Sequence, residues 1–315
     1  MKNTRYKMEL TTCSPVFIGS GDEISSGEFL KDNHSIYIPN NNDLAQIITS
    51  DNALFVNYKD VLSKLALNKT DNQSKNSQLD LSSVFFKHPS QKEKLKKISK
   101  QISINQRLQQ DHLTNPINLF INNSDGFYIP GSSIKGAFRT YMLKHLIARN
   151  KSLDSNKASD IENEYLRSGD KKATDDFLRS WQFADSGTID NKNFEVYKIN
   201  KLGLKKGSIP IYIIGLKTNV KIEFDLTFDA FIAHDLGSKL PTIDELPELF
   251  KKIADKEIKD LKQKHHTETE LIPPNSTNIN FSLGGHIGKL RHTLADKTPK
   301  TISTINGVSL GWCHL

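Results

Sequence analysis

Cysteine is almost absent: Cys13 and Cys313 stand near opposite ends of the 315 residues, and neither has metal-ligand spacing around it. Both are read as reduced structural thiols rather than a disulfide or zinc framework. No apolar run approaches the roughly 18 residues that a spanning helix needs, and the N-terminal stretch has no secretory hydrophobic core. A cytoplasmic protein with no membrane partner is expected. Several enzyme motifs are missing as well, among them His-x-Glu with a later cysteine pair, HExxH and the Gly-x-Ser-x-Gly elbow. The ten histidines are scattered, and the adjacent pair His265 and His266 falls in a polar stretch. No catalytic residue, metal or cofactor is assigned. A metal-independent ribonuclease needs only one histidine, with Lys135 or Lys289 to stabilise charge, so RNA cleavage stays open.

What is present points to an acidic partner. The net charge is +7, with no basic amphipathic anchor, which places nucleic acid ahead of membrane. Hydrophobic content is 36%, enough for cores if loops or an insertion absorb the polar excess. The length suggests two compact domains.

Tyr6, Met8 and Leu10 alternate with Lys7, Glu9 and Thr11, the pattern of a half-buried strand. Ser14 to Gly21 is apolar and ends in Gly19-Ser20-Gly21, which reads as a glycine turn open to close ligand approach. Ser35 to Pro39 is a second short strand, followed by a helix from Asn42 to about Ser50. Residues 51–115 are rich in Asn, Ser, Gln and Lys and read as a helical insertion, with Lys69 to Ser77 expected to be disordered. Seven Lys or Arg and one acid, Glu93, lie between Lys87 and Arg107. That run reads either as a nucleic-acid-facing helix or as the solvated face of a helix packed through Leu95, Ile98 and Ile102. Val220 to Asp229 alternates strictly, with Ile209 to Leu216 as its expected partner strand. Thr242 to about Lys264 is helical, with Pro247 in its first turn, and Gly307 to Leu315 reads as a closing strand. The order of elements is α+β.

Two glycine-containing stretches carry the chemistry. Phe127-Tyr128-Ile129-Pro130-Gly131-Ser132-Ser133 reads as strand, turn and helix start, with Gly131 at positive φ and Ser132 or Ser133 as the cap. Ile134, Ala137, Phe138, Tyr141, Met142 and Leu146 then form one buried stripe. Lys135 and Arg139 share a polar face near the positive end of this helix, a combination suited to phosphate. The same residues equally describe a capped helix with solvated cations. It is no nucleotide P-loop, because Ala137 and Phe138 occupy the Lys and Ser/Thr positions after Gly136. The second stretch, Gly284-Gly285-His286-Ile287-Gly288-Lys289-Leu290-Arg291, offers unobstructed amides beside three basic side chains.

Together these residues resemble the RAMP superfamily of CRISPR effector proteins. The likeness is to the type III-A Csm complex subunit that caps the 3′-side end of the guide RNA. It rests on four blocks: Ser14 to Gly21, Tyr128 to Arg139, Gly284 to Lys289, and Leu310-Gly311-Trp312. The resemblance implies two RRM-like, ferredoxin-like modules, residues 1–192 with the insertion and 193–315, and a glycine-rich loop near the C-terminus. It implies binding of guide RNA (crRNA) backbone through Ser132, Ser133, Lys135 and Arg139, with Gly19, Ser20 and Gly21 in support. Gly284, Gly285, His286, Gly288, Lys289 and Arg291 complete the expected contacts, although this loop departs from the family's glycine-serine-glycine pattern. The implied partners are crRNA, the backbone and small subunits of the complex, target RNA and a trimming nuclease. Asp125 is the nearest counterpart of the aspartate with which the backbone subunit cleaves target RNA, and a cap subunit is not expected to cut. A non-catalytic RNA-binding subunit therefore leads. An endoribonuclease that processes precursor guide RNA and a protein scaffold without RNA contact stand beside it.

Overall fold

The computed structural model describes residues 3–70, 79–111, 113, 115–149, 158–170, 172–202, 209–235, 240–264, 271–273, 278–287 and 302–315. The segment Lys69 to Ser77 falls largely outside these residues. The architecture is α+β, built on two principal sheets. In the smaller, all-antiparallel sheet the spatial order is Phe281–Ser282, Trp312–His314, Thr4–Thr12, Lys221–Phe228 and Trp181–Phe183. In the larger, mixed sheet it is Gly19–Ile24, Ile117–Phe120, Ile211–Leu216, Phe194–Leu202, Lys100–Ile104, Ser35–Ile38 and Leu30–Lys31. Ile302–Ile305 extends the far end of Phe194–Leu202. Each sheet takes strands from both sides of residue 192, and one large hydrophobic cluster joins them.

Alternation explains the first strand, whose Leu10 is buried while Arg5, Lys7 and Glu9 are not. Lys221–Phe228 alternates likewise, but its partners are Thr4–Thr12 and Trp181–Phe183 rather than Ile211–Leu216. The reason lies in the link. Lys217 N–H donates to Asn193 O and Asn219 N–H to Thr12 O, so the turn, with Asn219 at φ 59°, hands the chain from one sheet to the other. Ile211–Leu216 is buried on both faces, as suits an interior strand between a parallel and an antiparallel neighbour.

Helices Asn41–Thr49, Asn52–Thr70 and Pro89–Ile98 surround a small separate core of Ile47, Leu54, Val84, Phe85 and Leu95. The insertion is helical only to Ile98. Ile98 is half exposed, and Ile102 belongs to the strand Lys100–Ile104, which pairs with Ser35–Ile38. Of the basic run, Lys96 turns inward to Asp32 at 3.1 Å and lies over the Tyr37 ring.

The central helix spans Gly131–Arg149 and buries Ile134, Phe138, Tyr141 and Met142, with Phe138 and Tyr141 both against Phe250 of the helix Leu246–Lys264. Its start differs from expectation in two ways. Gly131 has no positive φ; a Cβ there would lie 2.1 Å from the Phe183 carbonyl oxygen, so close packing excludes a side chain. The cap is remote, because Asp185 Oδ1 accepts from Gly131 N–H at 2.7 Å. Gly136, by contrast, faces open space. Gly131→Ala is expected to destabilise the fold by about 1–3 kcal/mol through overpacking. Gly136→Ala is expected to be neutral or slightly stabilising through helix propensity. Thermal denaturation of the two variants side by side checks this.

Candidate nucleic-acid interface

Blocks distant in sequence meet in one cleft of about 380 Å³. Its lining comprises Ile18 and Gly19 from the first block, Ser133, Gly136, Ala137 and Thr140 from one face of the central helix, and Ser282, Gly284, Gly285 and Ile287 from the C-terminal loop. The backbone holds these parts together. Gly285 N–H donates to Phe17 O at 2.6 Å and Leu283 N–H to Gly311 O at 2.8 Å. A Cβ on Gly284, whose φ is +99°, would lie 2.4 Å from the Phe17 carbonyl oxygen, and one on Gly311 would lie 2.5 Å from that of Leu283. His286 sits at φ 58° with its ring 5.6 Å from that of Phe17, so it braces the loop. The cleft is thus walled by glycine, short hydroxyl side chains and backbone. None of its lining residues is charged.

The helix contributes its N-terminal end. Ser132 is exposed, and its N–H has no hydrogen-bond partner among the described residues. Ser133 follows in the cleft wall. Free first-turn amides and the positive helix terminus together attract anions.

Lys135 and Arg139 do not reach this place. Helical geometry turns them about 130° away from the Ser133, Gly136, Ala137 and Thr140 face. Lys135 Nζ donates to Trp181 O at 2.9 Å, and burial lowers its pKa, partly opposed by Asp176. Arg139 bridges Asp176 at 2.6 Å and Glu162 at 2.9 Å. Burial opposes its charge, but the two carboxylates outweigh this and hold its pKa above the ordinary value. The pair that sequence reading gave to a phosphate ties the helix to its neighbours. No local pattern distinguishes the two situations, because the partners lie more than twenty residues away.

The remaining expected residues divide. Gly19 lines the cleft and opens the edge strand Gly19–Ile24, whose pairing is irregular between Gly19 and Glu23, so the stretch is a bulged strand and not a hairpin turn. Ser20 and Gly21 continue along that edge beyond the lining, with Gly21 at φ +94°. Gly288, Lys289 and Arg291 lie outside the described residues, as do His265 and His266. Asp125 sits exposed in the tight turn between Asn122–Asn123 and Gly126–Phe127. Gly136, Thr140 and Ser282 were not anticipated as lining. The signal for the first two was their spacing from Ser133, which puts all three on one helical face.

A family model for the RAMP superfamily matches residues 9–295. Two curated relatives, both named CRISPR system Cms protein Csm5, come from Streptococcus thermophilus and Methanocaldococcus jannaschii. They are 28% and 29% identical over 253 and 248 residues. These matches cover 72% and 69% of this chain but 65% and 52% of the relatives, less than two thirds of either. Among solved structures, T. onnurineus Csm5 matches with a TM-score of 0.69 at 15% identity, covering 98% of this chain and all of that one. A chain of a Csm-crRNA-target RNA ternary complex from a type III-A CRISPR-Cas system matches with a TM-score of 0.64, also at 15% identity, covering 98% and 99%.

Removing the Arg139 guanidinium leaves Asp176, itself buried, without its cationic partner. Arg139→Ala is expected to cost about 2–4 kcal/mol of stability, with Arg139→Lys recovering part of it. Chemical denaturation checks this; an unchanged midpoint for Arg139→Ala would show that the network holds nothing.

Proposed function

Because this chain belongs to the RAMP superfamily, we propose that it is a non-catalytic crRNA-binding subunit of a type III-A CRISPR complex. In this reading it holds the 3′ part of the guide, ends the filament of backbone subunits and assists 3′-end maturation by a trimming nuclease in the cytoplasm. Its protein neighbours would be the backbone and small subunits, with target RNA passing close by. The fold, read as two RRM-like modules, serves as the platform. The observation that carries the proposal is the convergence of Gly19, the Ser133 face of the central helix and Gly284-Gly285 on one uncharged, hydroxyl- and glycine-lined cleft. Small residues let a sugar-phosphate backbone approach, and Ser132 N–H with Ser133 Oγ supplies donors for a phosphate oxygen. The likeness to Csm5 proteins and to a chain of a crRNA-containing complex supports the same reading. Lys135 and Arg139 are assigned to the scaffold; Ser132, Ser133, Gly19, Gly284 and Gly285 are the proposed contacts, and Ser20, Gly21 and His286 flank them.

The test is binding of labelled single-stranded RNA across a salt series. Log affinity is expected to fall by roughly 0.7 per phosphate contact per decade of salt. Gly136→Asp, which places a carboxylate in open space at the cleft, is expected to weaken binding about tenfold. Lys135→Met is expected to leave binding unchanged. A folded Gly136→Asp variant that binds like the parent would remove the cleft from the interface. Defined fragments released from a repeat hairpin in EDTA would replace this reading with the processing-nuclease one.

A further inference from the structure

Beneath the cleft runs a chain of polar side chains that ends in its wall. Lys144 pairs with Glu257, joining the central helix to the helix Leu246–Lys264. Tyr141 Oη lies 3.2 Å from Glu257 Oε2 and 3.1 Å from Ser282 Oγ. Tyr141, Glu257 and Ser282 are 1%, 4% and 2% exposed, so water does not scramble their bonding.

Counting protons fixes the direction of this chain. An ion-paired carboxylate only accepts, and the tyrosine hydroxyl has one proton to give. A charged acceptor holds that proton more strongly than a neutral hydroxyl does. Tyr141 therefore donates to Glu257, and its oxygen is left to accept from Ser282. The Ser282 proton turns inward, and its remaining lone pair faces the cleft that the residue lines. Thr140 repeats the arrangement on the same wall, because its Oγ1 donates back to Gly136 O at 3.1 Å. Two hydroxyl oxygens thus present acceptors. A phosphate oxygen, which carries no proton, is repelled by such groups. A ribose 2′-hydroxyl, which can donate, fits them, and it is the group that separates RNA from DNA.

We infer that the Ser282–Thr140 wall reads the ribose 2′-hydroxyl, so that the chain selects RNA over DNA by hydrogen bonding and not by charge. The inference rests on the proposed placement of a nucleic-acid backbone in the cleft. Phosphate falls to the Ser132–Ser133 end, and the sugar edge faces Ser282 and Thr140.

The experiment compares binding of the full chain to one short oligouridylate as RNA, as its 2′-deoxy form and as its 2′-fluoro form. The fluoro strand keeps an RNA-like sugar but cannot donate. The parent is expected to bind RNA about tenfold tighter than either analogue, the effect of roughly one net hydrogen bond. Ser282→Ala is expected to remove most of this preference by weakening RNA alone. Tyr141→Phe frees the Ser282 hydroxyl to rotate and is expected to reduce the preference while fluoro-strand binding holds. Thermal melts verify that both variants are folded. The inference is overturned if the parent binds the fluoro strand as tightly as RNA, or if Ser282→Ala weakens every strand equally. Gly136→Asp separates the two levels. If it leaves all three strands unaffected, the cleft reading falls and takes this one with it. If it weakens binding while the RNA preference ignores Ser282, only the 2′-hydroxyl assignment falls.

Discussion

The segment Cys13 to Ile18 is hydrogen-bonded along its whole length to other parts of the chain, and both sheets and the cleft depend on it. Cys13 and Ser14 N–H groups donate to Trp312 O, Gly311 N–H donates to Pro15 O, and Val16 exchanges both bonds with Leu216. Phe17 O then accepts from Gly285 and Ile18 O from Ile121. Six residues therefore pass from the smaller sheet to the larger while leaving few backbone groups unpaired, as burial demands. Pro15 stands where its carbonyl is used and no donor is needed. The closeness of this crossing also dictates its neighbours: Gly284 and Gly311 are glycine because a Cβ at either would strike a carbonyl oxygen or the Ile287 side chain. One packed crossing thus gives the sheets a common core and sets one wall of the cleft.

This arrangement changes how the net charge of +7 is understood. The cations nearest the helix start serve as internal ties, and the described cleft lining carries none. Excess positive charge elsewhere acts over long range, raising the encounter rate with a polyanion without setting its register. Register then falls to groups that need close contact, such as amides, hydroxyls and surfaces without Cβ atoms. A glycine-walled cleft and a basic composition are therefore complementary devices, one for capture and one for placement.

Local pattern made much of the scaffold legible. Period-two alternation located Thr4–Thr12 and Lys221–Phe228, and helical periodicity located Gly131–Arg149 and Leu246–Lys264 with their buried faces. What escaped was decided by partners remote in sequence. The Lys217–Val220 link is short enough for a hairpin, and only its bonds to Asn193 and Thr12 reveal a change of sheet. Two serines at a helix start look like caps, yet Asp185, more than fifty residues on, takes the amide. Lys100–Ile104 continues a polar, lysine-rich stretch and becomes a strand because Ser35–Ile38 and Phe194–Leu202 offer open edges on either side. Ser282 could be seen next to a glycine loop, but the tyrosine and glutamate that orient it come from two separate helices.

The buried Lys144–Glu257 pair is best understood through that orientation. An ion pair removed from water contributes little net stability, since desolvation offsets most of the attraction, and apolar residues of similar size would serve packing as well. Packing alone therefore does not account for a lysine, a glutamate and a tyrosine hydroxyl beneath the cleft. What apolar residues cannot supply is a fixed direction for protons. The lysine keeps Glu257 ionised, the ionised carboxylate claims the Tyr141 proton, and the tyrosine oxygen claims that of Ser282. Each step removes one degree of rotational freedom that an isolated serine would keep. The wall of the cleft then presents a single hydrogen-bonding character before any ligand arrives, so the ordering is done in the folded chain and not at the moment of binding.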